Sequence, residues 1–308
     1  MEYKHIPVML NECLDGLNIN PEGIYVDGTL GGAGHSSHIL NRLTTGRLIC
    51  NDLDTVAINN AKTRLADGIE KVTFIHDDYK KLAENLDNMG IAEVDGILLD
   101  LGVSSHQIDT PERGFAYSKD APLDMRMNQE ASLSAYDVIN SYSAKELQNI
   151  FSAYGEERYS RRIAERIVST RETSPISTTF ELSKLVERCY PRGYKDGHPA
   201  KRVFQAVRIE VNGELEGLGD ALTSMVRKLK KGGRLVVMTF HSLEDRIAKR
   251  CFKELELDCV CDKHLPVCIC GKVSEIKILN KKPIEASEEE LSINRRALSA
   301  KLRIVEKK

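Results

Sequence analysis

Apolar runs and amphipathic segments alternate over the first hundred residues of the chain. Short apolar runs lie at 24–26, 47–50, 72–75 and 94–99, and their length is typical of buried strands. Between them, segments 55–65 and 80–89 carry apolar residues at helical spacing. This alternation predicts a parallel sheet whose strands are joined by crossover helices.

The same pattern returns near the end of the chain. Segment 221–230 is apolar along one helical face, and Gly232 and Gly233 are expected to end that helix. Segment 234–240 predicts a fifth buried strand, and 273–279 and 298–305 predict two more. From about 132 to 211 the periodicity is helical throughout. We therefore predict one α/β domain, made of 1–110 and 214–308, which a helical insertion at 111–213 interrupts.

Composition limits the class of protein without identifying it. An apolar content of 41% with 29% charged residues is ordinary for a globular protein. No apolar run approaches the ~20 residues of a membrane span, and the first residues do not resemble a signal peptide. We therefore expect a cytoplasmic protein without membrane contact, in which eight cysteines serve as free thiols or metal ligands rather than disulfides.

Charge is uneven along the predicted insertion. Residues 158–208 contain twelve Lys and Arg against five Asp and Glu, although the whole chain has a net charge of -2. Such a local excess favours contact with the phosphates of a nucleic acid. The alternative is a solvated helical surface with local ion pairs such as Arg161–Glu165.

A glycine-rich turn follows the first predicted strand. Asp27 ends the strand, Gly31, Ala33 and Gly34 lie in the turn, and His35 is expected to begin a helix. The glycines fit neither the i, i+2, i+5 spacing of a dinucleotide site nor a phosphate-binding loop. A carboxylate directly before the turn would repel a pyrophosphate, but it suits a cationic ligand that carries an amino acid. The turn therefore indicates S-adenosylmethionine rather than NAD or ATP, with a merely flexible loop as the alternative.

Polar side chains also follow the other strands, and ligands of such sheets bind at the carboxyl ends of the strands. Asp52 is placed to bind ribose hydroxyls, whereas its neighbour Asp54 is placed to cap the next helix. Tyr79 could stack on an adenine or simply pack against the protein. Asp100, which closes the fourth strand, could hold the protons of an exocyclic amine during methyl transfer, or it could bind the cofactor or serve the structure.

Several further residues are candidates for contact with a substrate. Ser104, Ser105 and Gln107 follow Asp100 closely enough to complete a pocket. Arg113 and Phe115 lie in a long mixed loop, where an aromatic ring could stack on a flipped base or pack locally. His241 follows the fifth strand and could face substrate, while Ser242 and Asp245 are expected to cap the next helix.

Four cysteines near the C-terminus form the pattern C-x-C-x6-C-x-C. They are Cys259, Cys261, Cys268 and Cys270. Four thiolates so close in sequence can form a structural zinc site, although the usual spacing is C-x2-C. A loop of free thiols is the alternative.

Several motifs together resemble the bacterial 16S rRNA cytosine-N4 methyltransferases of the MraW type. They are the turn at 27–35, Asp-Leu-Gly-Val-Ser-Ser at 100–105, Arg-Gly-Phe at 113–115, and the segments 122–127, 198–209 and 240–246. The resemblance implies a class I S-adenosylmethionine-dependent methyltransferase fold, with a Rossmann-like sheet and an all-α insertion. It also implies methyl transfer to N4 of a cytidine in the decoding centre of 16S rRNA, in the small ribosomal subunit.

The resemblance also assigns residues and leaves two alternatives. The family's cofactor positions fall on Ala33, Gly34, His35, Asp52, Tyr79, Asp100 and Gln107. A nucleotide-dependent oxidoreductase is disfavoured by the glycine spacing and by Asp27. A non-catalytic ribosome assembly factor that keeps the cofactor fold is disfavoured by the intact glycine turn and Asp100.

Overall fold

The computed structural model of the chain describes residues 7–195, 197–262 and 267–308. The described part forms two compact units, one of residues up to Gly102 together with Gly217–Lys308, and the other of Val103–Glu216. The strands are β1 Ile24–Asp27, β2 Arg47–Asp52, β3 Val72–His76, β4 Val94–Asp100, β5 Leu229–Thr239, β6 Ile276–Ile278 and β7 Lys301–Lys307. The helices are α1 Leu10–Leu17, α2 Gly34–Leu40, α3 Thr55–Arg64, α4 Leu82–Asn88, α5 Ser105–Asp109, α6 Ala135–Ser141, α7 Ala144–Ala153, α8 Ser160–Arg171, α9 Thr179–Glu187, α10 Ala200–Asn212, α11 Leu218–Arg227, α12 Ser242–Glu256 and α13 Glu288–Ile293.

The first unit is built on one seven-stranded sheet in the order β3-β2-β1-β4-β5-β7-β6. The strands β1 to β5 pair in parallel, and β7 runs antiparallel to both of its neighbours. The predicted α/β class with a mainly parallel sheet is therefore confirmed. The central strands are mainly apolar in their buried parts, as expected for a sheet whose two faces are both covered.

Alternation along each strand explains the two cores of this unit. Tyr25 of β1 belongs to one buried cluster and Val26 belongs to the other. In β5, Val236 and Val237 divide in the same way. Successive side chains point to opposite faces of a sheet, so every central strand contributes to both cores.

The second unit is helical, with α5 to α10 and their connecting loops. Its core contains Phe151 and Ile163, both fully buried, from α7 and α8. Four of its helices begin with capping boxes, at Ser104, Ser134, Ser143 and Thr178. Each cap satisfies backbone donors that the first helical turn leaves free.

Two sequence-based boundaries need correction. The helix predicted at 221–230 ends at Arg227, and Gly232 and Gly233 lie inside β5 instead of ending the helix. The reason is long-range pairing, because Val94 pairs with Leu229 whereas Gly96 pairs with Arg234. The extra residues of β5 bulge between these two pairs, and Gly232 takes a φ of +78° there.

Of the helices described, none is long and apolar enough to cross a membrane.

Candidate functional site

Three carboxylates end three adjacent strands of the sheet. Asp27, Asp52 and Asp100 are the last residues of β1, β2 and β4, and β1 lies between the other two strands. The carboxyl ends of parallel strands meet at one edge of a sheet, which is where ligands of such folds bind. The structure thus brings together three of the predicted site residues.

The glycine-rich turn is anchored to both strands that flank β1. The Gly28 N–H donates to the Leu98 carbonyl (2.9 Å), and the Leu30 N–H donates to the Asn51 carbonyl (3.0 Å). A Cβ atom on Gly28 would lie 2.5 Å from Leu99 Cδ2, so a larger residue at this position would require the Leu99 side chain of β4 to move. The turn is therefore a fixed element of the sheet edge rather than a flexible loop.

Residues at the end of the turn adopt left-handed backbone dihedral angles. Gly31 has a φ of +47° and Ala33 a φ of +55°. Ala33 precedes the first residue of α2, which is Gly34 rather than His35. A residue with a Cβ is strained in this region by about 1–2 kcal/mol, so the alanine carries a cost that a glycine would avoid.

Asp27 is buried, and the groups that donate hydrogen bonds to its carboxylate are neutral. Its side chain accepts a hydrogen bond from the Ser36 hydroxyl (2.6 Å) and one from the Thr29 N–H (3.2 Å). Burial raises the pKa of Asp27 to about 6, although both hydrogen bonds act in the opposite direction. A positive charge on a ligand would stabilise the ionised form.

Asp52 connects two loops through its two oxygens. One oxygen accepts from the Gly31 N–H (2.7 Å) and the other accepts from the Asp54 N–H (2.8 Å). Burial raises the pKa of this carboxyl group as well. Asp54 caps α3 by accepting from the Val56 N–H (2.9 Å), so its predicted capping role is confirmed.

Asp100 faces His35 at the end of β4. The Asp100 N–H donates to the Thr29 hydroxyl (2.6 Å), and one carboxylate oxygen lies 3.8 Å from His35 Nδ1. His35 Nε2 donates to the Val8 carbonyl (3.0 Å), since a carbonyl oxygen can only accept. Burial raises the pKa of Asp100 well above its usual range, and the charges of Asp27 and Glu244 add to the shift. The side chain of Asp100 nevertheless remains 25% exposed, so it is accessible to a ligand.

Two residues of this edge were missed by the sequence reasoning. Thr29 positions the end of β4, as described above. Asn51 is 1% exposed, and its amide donates to the carbonyls of Gly28 (3.1 Å) and Asp77 (3.0 Å). It therefore joins the loops that follow β1 and β3. The available signal was an amide side chain at the end of a strand that is otherwise apolar.

Tyr79 and His241 occupy positions with clear structural contacts. Tyr79 begins a short 3-10 helix and is half-buried against the first unit's core, so its contact with adenine stays a prediction. His241 caps α12, because its Nδ1 accepts from the Glu244 N–H (3.4 Å). The buried Glu244 carboxylate accepts in turn from the Phe240 N–H (2.9 Å). The cap predicted at Ser242 and Asp245 is therefore wrong by one residue.

The remaining candidates belong to the second unit. Ser104 and Gln107 form the capping box of α5, with the Ser104 N–H 3.0 Å from the amide oxygen of Gln107, and Ser105 is the first residue of that helix. Arg113 is buried and donates to the carbonyls of Arg126 (2.8 Å) and Met127 (2.9 Å). Phe115 packs against this unit's core, with the Arg113 guanidinium 6.0 Å from its ring. These contacts organise the loop, and substrate contact by any of these residues stays a prediction.

The chemistry of the sheet edge favours a cationic ligand. Asp27 and Asp52 accept hydrogen bonds from hydroxyl and backbone N–H groups, and His35 is the basic group beside Asp100. Buried carboxylates without a full countercharge destabilise the ionised state. A ligand with a positive charge would supply the countercharge that these carboxylates lack.

Comparison with known proteins gives matches over the whole chain. A model described as the MraW methylase family matches residues 2–308. The chain is 54% identical over 309 residues to the ribosomal RNA small subunit methyltransferase H of Clostridium botulinum strain Loch Maree, with 100% of both chains covered. It is 50% identical over 310 residues to the protein of the same name from Finegoldia magna, covering 100% of this chain and 99% of that one.

Solved structures similar to this chain are more distant in sequence. An rRNA methylase from Streptococcus thermophilus is 14% identical, with a TM-score of 0.40 over 97% of this chain and 93% of that chain. An S-adenosylmethionine-dependent O-methyltransferase from Thermotoga maritima is 11% identical, with a TM-score of 0.42 over 100% of this chain and 68% of that chain.

Proposed function

The chain belongs to the MraW methylase family, and we propose that it transfers a methyl group from S-adenosylmethionine to N4 of a cytidine in the decoding centre of 16S rRNA. Its sheet is that of a class I methyltransferase. The observation that supports the proposal most strongly is the set of carboxylates at the ends of β1, β2 and β4, which surrounds the glycine turn. Its substrate would place the protein in the cytoplasm.

The acidic sheet edge fits S-adenosylmethionine. When bound, this cofactor supplies an electrophilic methyl group on a positively charged sulfur. Asp27 and Asp100 are the carboxyl groups whose ionised forms such a charge would stabilise. Asp52 already accepts two backbone hydrogen bonds, but a carboxylate has about four lone-pair sites, so it retains capacity for ribose hydroxyls.

We assign to Asp100 the role of accepting protons from the cytidine amine. The lone pair of that amine is delocalised into the ring, so a hydrogen-bond acceptor helps to localise it on the nitrogen. The Asp100 carboxylate would accept a hydrogen bond from the amine and receive the proton that the amine loses once it is methylated. The hydrogen bond from the Asp100 N–H to Thr29 fixes the strand end that carries this group. Positioning of this kind can account for much of an enzyme's acceleration.

The second unit offers a surface for RNA. Exposed Arg162, Arg166 and Arg188 line a groove of about 370 Å³ between α8 and the end of α9. Glu165 lies in the same groove, but it is paired with Arg161 at 2.8 Å. Arginines on one surface can contact several phosphates of one RNA segment.

Other basic residues of this unit have structural partners. Arg208 binds Glu214 through two hydrogen bonds (2.7 and 2.8 Å). Arg171 donates to the carbonyls of Ile139 and Tyr142, and Arg202 donates to the Glu156 carbonyl (2.8 Å). Arg171, Arg202 and Arg208 therefore stabilise the fold, whereas Arg162, Arg166 and Arg188 face the groove.

Transfer of labelled methyl groups tests the proposal. Small ribosomal subunits from a strain that lacks the enzyme are incubated with S-adenosylmethionine labelled in its methyl group, with free 16S rRNA in parallel. We expect label in the RNA fraction and none with subunits that already carry the modification. Tight cofactor binding without transfer to either substrate would contradict the proposal and favour a non-catalytic assembly factor.

A further inference from the structure

The thiols of the C-terminal cysteine pattern converge at one point. The Sγ atoms of Cys259, Cys261, Cys268 and Cys270 all lie within 4.8 Å of one another. Cys268 Sγ is 3.5 Å from Cys259 Sγ, 3.9 Å from Cys261 Sγ and 3.5 Å from Cys270 Sγ. The loop that carries them connects α12 to β6 in the first unit. His264, which lies between the two pairs in the sequence, falls outside the described residues.

These distances fit a metal site and do not fit disulfides. A disulfide requires sulfur atoms about 2.05 Å apart, and all four cysteines are free thiols. In a tetrahedral zinc site the Zn–S bonds are about 2.3 Å, which places neighbouring sulfur atoms about 3.8 Å apart. The observed separations of 3.5 to 3.9 Å lie around this value.

Backbone hydrogen bonds support the thiolate form. The N–H of Val260, between the first two cysteines, donates to Cys270 Sγ (3.4 Å). The N–H of Ile269, between the last two cysteines, donates to Cys261 Sγ (3.3 Å). Each C-x-C pair thus donates a hydrogen bond to the second cysteine of the other pair. Such donors stabilise negative sulfur and orient metal ligands.

The loop exposes its apolar residues. Val260 is 60% exposed, Val267 70% and Ile269 79%. Local hydrophobic burial by these residues is therefore small, although two C-x-C pairs are held in register. A metal cross-link would provide this order, as it does in other small modules that lack a core.

We propose that Cys259, Cys261, Cys268 and Cys270 bind one Zn²⁺ ion in a closed structural site. Four protein ligands leave no open coordination position, so the ion would stabilise the loop and take no part in methyl transfer. Binding replaces thiol protons by zinc, and each thiol that is protonated beforehand releases one proton.

Elemental analysis of the full chain, purified without chelators, tests the site. We expect close to one zinc per chain in the wild-type protein, and a large loss of zinc in the double variant Cys268→Ser, Cys270→Ser. The matched control is Cys189→Ser, since Cys189 is buried in the second unit and donates to the Leu185 carbonyl, which a serine can also do. Iron in place of zinc, or neither metal, would contradict the proposal.

A second measurement uses only the wild-type chain, in case the double variant fails to fold. Cobalt is exchanged for zinc, and the visible and near-ultraviolet spectrum is recorded. A tetrahedral tetrathiolate site gives intense visible bands and thiolate-to-metal charge-transfer bands, and a thiol-binding mercurial should abolish them. A pale octahedral spectrum would overturn the proposal even if the protein retains full methyltransferase activity.

Discussion

The hydroxyl of Ser36 donates a 2.6 Å hydrogen bond to the carboxylate of Asp27, which is only 2% exposed. This contact partly offsets the burial of the charge, yet the pKa of Asp27 still rises to about 6 from an ordinary 3.8. The folded protein therefore holds a proton on Asp27 at pH values where the unfolded chain has lost it. The contribution of Asp27 to stability must therefore fall as the pH rises through that window and level off above it.

Replacing Asp27 by Asn should remove this dependence. Between pH 4 and pH 7 the wild type should lose up to about 3 kcal/mol of unfolding free energy relative to Asp27→Asn. Urea unfolding of both proteins across this range measures the difference. The exposed Glu22→Gln variant is the control and should follow the wild type. Parallel curves for wild type and Asp27→Asn would contradict the assigned shift.

Cofactor affinity should depend on pH through the charge of the cofactor. A cationic sulfonium favours the ionised forms of Asp27, Asp52 and Asp100, whose pKa values burial raises. Between pH 5.5 and pH 7.5 the affinity for S-adenosylmethionine should therefore increase. This increase should be about tenfold larger than that for S-adenosylhomocysteine, which lacks the positive charge. Calorimetric titration of both ligands measures the change. Equal pH dependence of the two affinities would show that the carboxylates do not interact with the sulfonium charge.

Asp100→Asn should separate stability from catalysis. The amide keeps the shape but cannot take up the amine proton, so methyl transfer should fall by about 100-fold or more. Because the amide carries no desolvated charge, the unfolding free energy of the cofactor-free protein should stay equal or rise. Asp95→Asn is the matched control at the other end of β4, where Asp95 pairs with Lys230 at 2.7 Å. That control should lose stability and keep transfer; an active Asp100→Asn enzyme would refute the assignment.

Ala33→Gly should stabilise the protein. The left-handed backbone at this position, with a φ of +55°, strains alanine by about 1–2 kcal/mol. Glycine gains freedom in the unfolded chain, and the variant loses a fully buried methyl group, which contributes about 0.8 kcal/mol. We therefore expect a net gain of no more than about 0.5 kcal/mol. Thermal and urea unfolding measure it. Ala57→Gly inside α3 is the comparison, and it should destabilise by about 1 kcal/mol; a similar loss from Ala33→Gly would argue against backbone strain.

The groove of the second unit should contribute to RNA affinity. The double variant Arg162→Glu, Arg166→Glu should weaken RNA binding by about tenfold or more and make the slope of log K against log salt shallower by about one or two. Filter binding over a salt series provides both values. Lys145→Glu, an exposed change on α7 of the same unit, is the control. An unchanged slope in the double variant would exclude phosphate contacts at this groove.

Local patterns in the sequence are enough to predict the sheet and the polar residues at the ends of its strands. The buried strands are apolar runs, and Asp27, Asp52 and Asp100 stand where those runs stop. Asp54 caps α3 as its position next to a helical segment predicts. The family resemblance is confirmed by matches over the whole chain. These features depend on residues that are close together in the sequence.

Features that depend on distant residues were not predicted. The bulge in β5 follows from its register with β4, and local periodicity carries no information on register. Asn51 acts by bridging the loops after β1 and β3, which only the folded sheet brings together. The local pattern of Ser242 with Asp245 three residues later predicts a capping box there, whereas the structure uses the ring nitrogen of His241.

The most direct test of the proposed activity is identification of the methylated nucleoside. Small subunits lacking the modification are treated with the enzyme and methyl-labelled S-adenosylmethionine, and the RNA is digested to nucleosides and separated by chromatography with mass detection. The proposed function predicts that the label co-elutes with N4-methylcytidine and that Asp100→Asn reduces this peak. Label in 5-methylcytidine, or in a nucleoside other than cytidine, would contradict it.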